Sequence, residues 1–168
     1  MAQMTHDQKV LSTLVYVVKD HKTLMLHRVK KKGDIHQDKY NGLGGKIEPG
    51  EAPLQCAKRE VLEESGLTAK KVTFKGNLFF PEFDKQNRDW QVYLYRVDEF
   101  EGELLFESAE GKLEWFSNKE VLDLNLWEGD KIFIPYVYGP QIIEGIFRYK
   151  DGKLDSHQLT VFDQESSH

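Results

Sequence analysis

Between Asn41 and Leu67 the chain sets a glycine-rich loop, then a proline, then a helical pattern closed by glycine. This stretch constrains the fold most. Pro53 suits the first helical position, and Gly66 suits the left-handed residue that follows a last turn, so the spacing predicts a helix from Pro53 to Ser65. At about 100° per residue, Leu54, Ala57 and Val61 fall on a side that can face a core. Glu60, Glu63 and Glu64 share the adjoining side, so an acidic face stands beside a packed one. Before the helix, Gly42, Gly44 and Gly45 permit close backbone approaches that a Cβ would forbid.

The surrounding pattern is strand-like. Val10–Val18 and Thr23–Arg28 flank the turn Lys19-Asp20-His21-Lys22 and predict a hairpin, followed by a basic, polar loop over residues 30–41. Val72–Phe80, Trp90–Val97 and Glu114–Phe116 read as further strands, with polar Asp84–Asp89 between the first two. Ser117 with Glu120 three residues on predicts a capping box for a short helix reaching Leu122. A second helix is expected from about Asp130 towards Tyr138 despite Pro135, then a hairpin turned at Asp151-Gly152. Hairpins with segregated helices give an α+β class.

At 168 residues and 39% hydrophobic content, one core is affordable, and residues 1–168 are expected to form a single domain. A net charge of −5 offers no basic footprint for a nucleic acid polymer. Cys56 is the only cysteine, which excludes an internal disulfide and suits a reducing, cytoplasmic setting. Met1–Lys9 lacks the apolar stretch of a secretory signal, and no apolar run is long enough to span a bilayer, so no membrane partner is expected. The six His show no ligand spacing.

The glutamates admit two readings. One is a solvated helix face. However, Glu60 and Glu64 stand four apart, where like charges repel by a few tenths of a kcal/mol, and only Arg59 to Glu63 offers a favourable pair. A bound cation turns that cost into a gain. Hard Mg²⁺ takes several carboxylate oxygens together with water and phosphate, with Mn²⁺ as the alternative ion.

Gly45, five residues, Glu51, seven residues, then Arg59-Glu60-Val61-Leu62-Glu63-Glu64-Ser65-Gly66-Leu67 matches, over 23 residues, the complete box of the Nudix hydrolases, which the chain resembles. The resemblance implies a loop–helix–loop on an α/β/α sandwich with a mixed sheet. It implies metals gathered by Glu60, Glu63 and Glu64, with Gly45 bringing backbone to metal or phosphate. Arg59 resembles the partner that orients these acids and Glu51 their support; otherwise Arg59 is a surface cation. Lys46 is placed to offset phosphate charge. Glu107, eight residues before Trp115, resembles a late acid that serves family members as ligand or base; the plain reading is an exposed loop acid. The general base stays open among Glu60, Glu63 and Glu107.

Asn41-Gly42-Leu43-Gly44-Gly45-Lys46, Trp115-Phe116 and Leu126-Trp127-Glu128-Gly129-Asp130 extend the likeness to the MutT-type subgroup that removes oxidised purine nucleotides such as 8-oxo-dGTP. There, an Asn bonds the purine edge, a Trp stacks on the base and acids after it read the ring. Asn41, Trp127 and Asp130 occupy matching places. Animal members carry two adjacent Asp after Trp-Pro, whereas Glu128-Gly129 precede a single Asp130 here. Asp130 also suits a helix N-cap, Trp127 a core aromatic and Asn41 a turn. The expected reaction is Mg²⁺-dependent cleavage of a purine nucleoside triphosphate to monophosphate and pyrophosphate. The alternatives are other nucleoside diphosphate compounds, or a regulator that binds nucleotide without cleaving it.

Overall fold

The computed structural model describes residues 8–29 and 38–163; most of the basic loop after the first hairpin and the first seven residues lie outside them. β1 (Lys9–Lys19) and β2 (Lys22–His27) meet through Asp20 and His21, both with positive φ, the geometry of a tight hairpin turn. β3 (Tyr40–Asn41), β4 (Thr68–Phe80), β5 (Asp89–Glu101), β6 (Lys112–Ser117), β7 (Ile142–Lys150) and β8 (Lys153–Phe162) complete the strands. Their order is β3-β2-β1-β5-β4-β7-β8, with β6 on β2. β1 runs parallel to β5 and β4 parallel to β7, while the other pairs are antiparallel, so the sheet is mixed.

Alternation along the central strands sends side chains to two separate cores. In β1, Val15 and Val17 join Ala57 and Val61 of helix α1 (Pro53–Ser65). The intervening Tyr16 points the other way, to Phe133, Ile134 and Val137 of helix α3 (Glu128–Val137). Leu94 and Val97 of β5 divide in the same manner. A sheet apolar on both faces requires cover on both, and α1 and α3 supply it in an α/β/α sandwich.

The predicted helix from Pro53 to Ser65 is α1, residue for residue, with Gly66 left-handed at φ 79° and its N–H bonded to Leu62 O. Leu54 departs from expectation. It is 41% exposed, and Cys56 is buried in its stead. Its angle on the helix wheel was suitable, but the first turn lies against the Gly45–Lys46 loop and Thr13, where Cys56 Sγ makes its contacts.

Two caps also differ. In α2 (Asn118–Val121), Ser117 Oγ accepts from Glu120 N as predicted, but also donates to Glu120 Oε1 at 2.8 Å. In α3 the helix begins at Glu128, so Trp127 and not Asp130 holds the N-cap position. The first-turn N–H of Gly129 is satisfied by the Tyr149 hydroxyl of β7 at 2.6 Å, and Asp130 stands inside the helix. No described helix is long and apolar enough to cross a membrane.

Candidate active site

The loop between β3 and α1 runs beside β1. Val15 and Leu43 exchange backbone bonds, Thr13 N donates to Gly45 O at 2.9 Å, and Ile47 N donates to Leu11 O. At Gly44 only glycine tolerates this approach, whereas at Gly45 a Cβ would displace the Glu60 carboxylate. A Cβ at Gly44, whose φ is 129°, would lie 2.1 Å from Thr13 O, and one at Gly45 would lie 2.6 Å from Glu60 Oε1. The two glycines thus bring loop backbone against the acidic face of α1.

Arg59 organises that face. Its Nε and Nη2 grip Glu51 at 2.6 and 3.0 Å, while Nη1 reaches Glu60 at 2.9 Å and Glu63 at 3.2 Å. Nη2 also donates to Lys46 O. The paired hydrogen bonds from Arg59, with one from the Glu48 N–H, hold the Glu51 carboxyl down to about 2. Arg59 is therefore an internal bracket between the loop and three acids. Glu63, 59% exposed in its side chain, lies at the outer margin.

Glu64 has the opposite environment. It is 7% exposed, its Oε1 accepts from Gly44 N at 2.8 Å, and its Oε2 is buried without a hydrogen-bond partner. Burial above all, with Glu110 and Glu60 adding repulsion against the Gly44 bond, pushes its carboxyl up to about 9. Burial likewise raises Glu60, against the pull of Arg59. Among the described residues no three acids stand ready-spaced as metal ligands, because Arg59 draws Glu60 and Glu63 towards itself. The orphaned Glu64 oxygen, the second acid beside it and the all-oxygen donors nevertheless fit a small hard cation, whose charge would replace the proton that Glu64 otherwise retains.

A cleft of about 740 Å³ extends from this cluster. Asn41, Gly45, Lys46, Glu60, Trp127 and Asp130, drawn from widely separated parts of the sequence, all line it. Asn41 Nδ2 is buried without a partner. Trp127 meets Phe83 and Tyr149 edge-on at 5.3 and 5.2 Å, with the Lys39 ammonium 5.3 Å over its ring. Asp130 is 7% exposed, and burial pushes its carboxyl up to about 8 against the attraction of Lys39. At neutral pH it is a hydrogen-bond donor. Tyr149, raised by its own burial and by Asp130, stays a neutral phenol.

Glu107 is exposed, bridges to Lys112 and does not line the cleft. Glu110 does, and it pairs with Arg28 Nη1 at 3.0 Å while repelling Glu64. The turn closed by the Ser108 N to Gly111 O bond carries Glu110 inward. Sequence reasoning missed Glu110, Arg28, Phe83 and Tyr149. Alternation along β7 was the one signal available for Tyr149; the others depend on loop conformation.

The NUDIX domain model matches residues 8–137. The chain is 36% identical over 140 residues to an oxidized purine nucleoside triphosphate hydrolase of Danio rerio, covering 83% of this chain and 86% of that one. It is 32% identical to the Mus musculus protein of the same name, covering 84% and 87%. The crystal structure of a mutator MutT protein from Bacillus halodurans superposes with a TM-score of 0.79 at 33% identity, covering 89% of this chain and 97% of that one. A glycine loop pressed on a glutamate helix, a sheet covered on both faces and these likenesses have one explanation: the chain belongs to the Nudix family.

Proposed function

We propose that this protein hydrolyses oxidised purine nucleoside triphosphates, such as 8-oxo-dGTP, to the monophosphate and pyrophosphate, with Mg²⁺ as its ion, and so cleanses the nucleotide pool. One observation carries the reading. A single cleft is lined by Glu60 and by Gly44, whose N–H Glu64 holds from behind, and also by Asn41, Trp127 and Asp130. The names of the zebrafish and mouse relatives support the substrate class. The whole chain is proposed to act as one domain, in the cytoplasm, with nucleotide as its partner and no nucleic acid polymer or membrane.

At the base end, the Trp127 ring offers a stacking face, while the Asn41 amide and protonated Asp130 present donors towards purine acceptors. A buried donor left unpaired costs about 1 to 3 kcal/mol, so a base lacking the matching acceptor is rejected by roughly tenfold or more. The polyphosphate then extends over the Gly44-Gly45 backbone, where Lys46 offsets its charge.

Glu60, Glu63 and Glu64 are proposed to hold the ion and Arg59, braced by Glu51, to orient Glu60 and Glu63. Glu110, which lines the cleft and acts on Glu64, is proposed for the late acid's role as ligand or base that the family resemblance suggests for Glu107. Bound Mg²⁺ supplies charge neutralisation and Lewis-acid polarisation at the phosphates. A carboxylate of this cluster accepts the proton as water attacks the β-phosphorus, the bridging oxygen departs with the nucleoside monophosphate, and pyrophosphate is released. Glu60 and Glu63 are the candidates for that base, with Glu110 the third acid in reach.

The test is a nucleotide panel with Mg²⁺ in which 8-oxo-dGTP stands beside dGTP, dinucleoside polyphosphates and sugar nucleotides. Preferred release of pyrophosphate from the oxidised triphosphate is expected. Equal slow turnover of every compound would remove the sanitising role.

A further inference from the structure

The connection from β4 to β5 forms a wall of the cleft to which the proposed chemistry assigns no task. Glu82 and Asn87 adopt positive φ, Phe83 N donates to Arg88 O, and Asn87 N donates to Asp84 O, which closes a compact loop. The Asp84 carboxylate is its hub. Oδ1 accepts from the backbone N–H of Gln86 at 2.9 Å and of Arg88 at 3.0 Å, while Oδ2 accepts from Arg88 Nε at 2.7 Å and Trp90 Nε1 at 3.0 Å. Burial opposes the charge, yet these bonds outweigh it and hold the carboxyl down to about 2, so the hub stays ionised at any working pH.

Of the side chains that Asp84 fixes, Trp90 has the more specific consequence. The Lys46 ammonium stands 5.7 Å from the centre of its ring, within cation–π range. Lys46 directly follows Gly45, and its own backbone carbonyl is held by Arg59. Its side chain is otherwise exposed, and a lysine stem left to itself loses rotamer freedom when it is fixed on a ligand. A ring whose N–H is anchored and whose face receives the ammonium reduces that loss before any ligand arrives.

We propose that Trp90, anchored by Asp84, is a positioning residue that holds the Lys46 ammonium at the polyphosphate end of the cleft and thereby sets affinity for the phosphate chain independently of the base. The inference rests on the polyphosphate reading of the site given above. It assigns to Trp90 no contact with the reacting atoms. The arrangement acts through Lys46, so removing the lysine must make the tryptophan irrelevant to phosphate binding.

That dependence is measurable by a double-mutant cycle on the full chain, using calorimetric titration with inorganic tripolyphosphate and, separately, dGMP, both with Mg²⁺. K46M should weaken tripolyphosphate about tenfold, as loss of a charged partner does. W90L should weaken it by about two- to fivefold, the scale of a cation–π contact. The double variant should be no weaker than K46M, and dGMP should bind all variants alike. W90F keeps the ring and loses the indole N–H, so it should fall between wild type and W90L; if W90L does not fold, the W90F and K46M cycle reads the same coupling. Additive losses, equal weakening of both ligands by the Trp90 variants, or a wild-type chain that does not take up tripolyphosphate overturn the proposal. Coupled losses in a chain that leaves 8-oxo-dGTP uncleaved preserve this inference and overturn the hydrolase reading instead.

Discussion

Asp130 lines the cleft and Glu64 stands behind its Gly44 wall, each 7% exposed and each with a carboxyl raised far above its usual range, but their neighbours differ. Glu64 adds to the cost of burial the repulsion of Glu110 and Glu60, and it keeps an oxygen with no partner. Asp130 has burial as the one influence raising it, and the nearby Lys39 pulls the other way. The same perturbation therefore serves two purposes. Among other acids, a raised carboxyl marks a place where a cation relieves the strain. Alone in an aromatic pocket, it marks a neutral acid that donates a hydrogen bond.

The most forceful way to break this contrast is Glu64→Gln. Turnover should fall by roughly a thousandfold, about 4 kcal/mol of barrier, because the ion loses a ligand. Thermal stability of the metal-free chain should change little, since at pH 7 a neutral amide replaces a carboxyl whose raised pKa keeps it protonated. A Gln variant that retains turnover would show that Glu64 is merely a packed acid.

Asp130 gives the next largest effect, and it carries a pH signature. Its native pKa of about 8 exceeds the unfolded value of about 3.9, so the folded state binds the extra proton between them. Its contribution to stability is thus complete below about pH 4 and is lost as pH rises through about 8. Nucleotide affinity should follow the same limb, falling as pH passes upward through 8. Asp130→Asn keeps a donor and should flatten that limb; Asp130→Ala should cost about tenfold in affinity at pH 7. Binding curves across pH 6 to 9 check both outcomes. An unchanged limb in the Asn variant would assign the titration elsewhere.

The smallest effect sharpens the acid end. Glu110→Gln should lower kcat by about tenfold and Glu107→Gln by no more than about twofold, because only Glu110 lines the cleft and acts on Glu64. Steady-state kinetics of the two variants decide the order. A reversed ranking would mean that the loop around Glu107 refolds towards the acids on binding substrate.

Much of this was legible locally. Pro53 and Gly66 fixed both ends of α1 because each acts through its own backbone, and Asp20-His21 and Asp151-Gly152 placed two hairpins for the same reason. The acid cluster was legible because Glu60, Glu63 and Glu64 share one helix. What escaped depends on partners distant in the chain. Leu54 lies on the correct side of α1 but over the glycine loop, and α3 starts at Glu128, where the Gly129 N–H finds Tyr149 of β7, so Asp130 is inside the helix. Glu110 enters the cleft through a turn whose course no periodicity announces. The base end was read only as a likeness, since Asn41, Trp127 and Asp130 converge by tertiary folding.

On this reading Glu64, on the acid face of α1, retains a proton which a divalent ion displaces. Calorimetric titration of the nucleotide-free chain with Mg²⁺ at pH 7, repeated in buffers of different ionisation enthalpy, counts the protons released. Uptake with about one proton released per ion is expected, with loss of that release in Glu64→Gln. Absence of uptake, or uptake with no proton released, would contradict it.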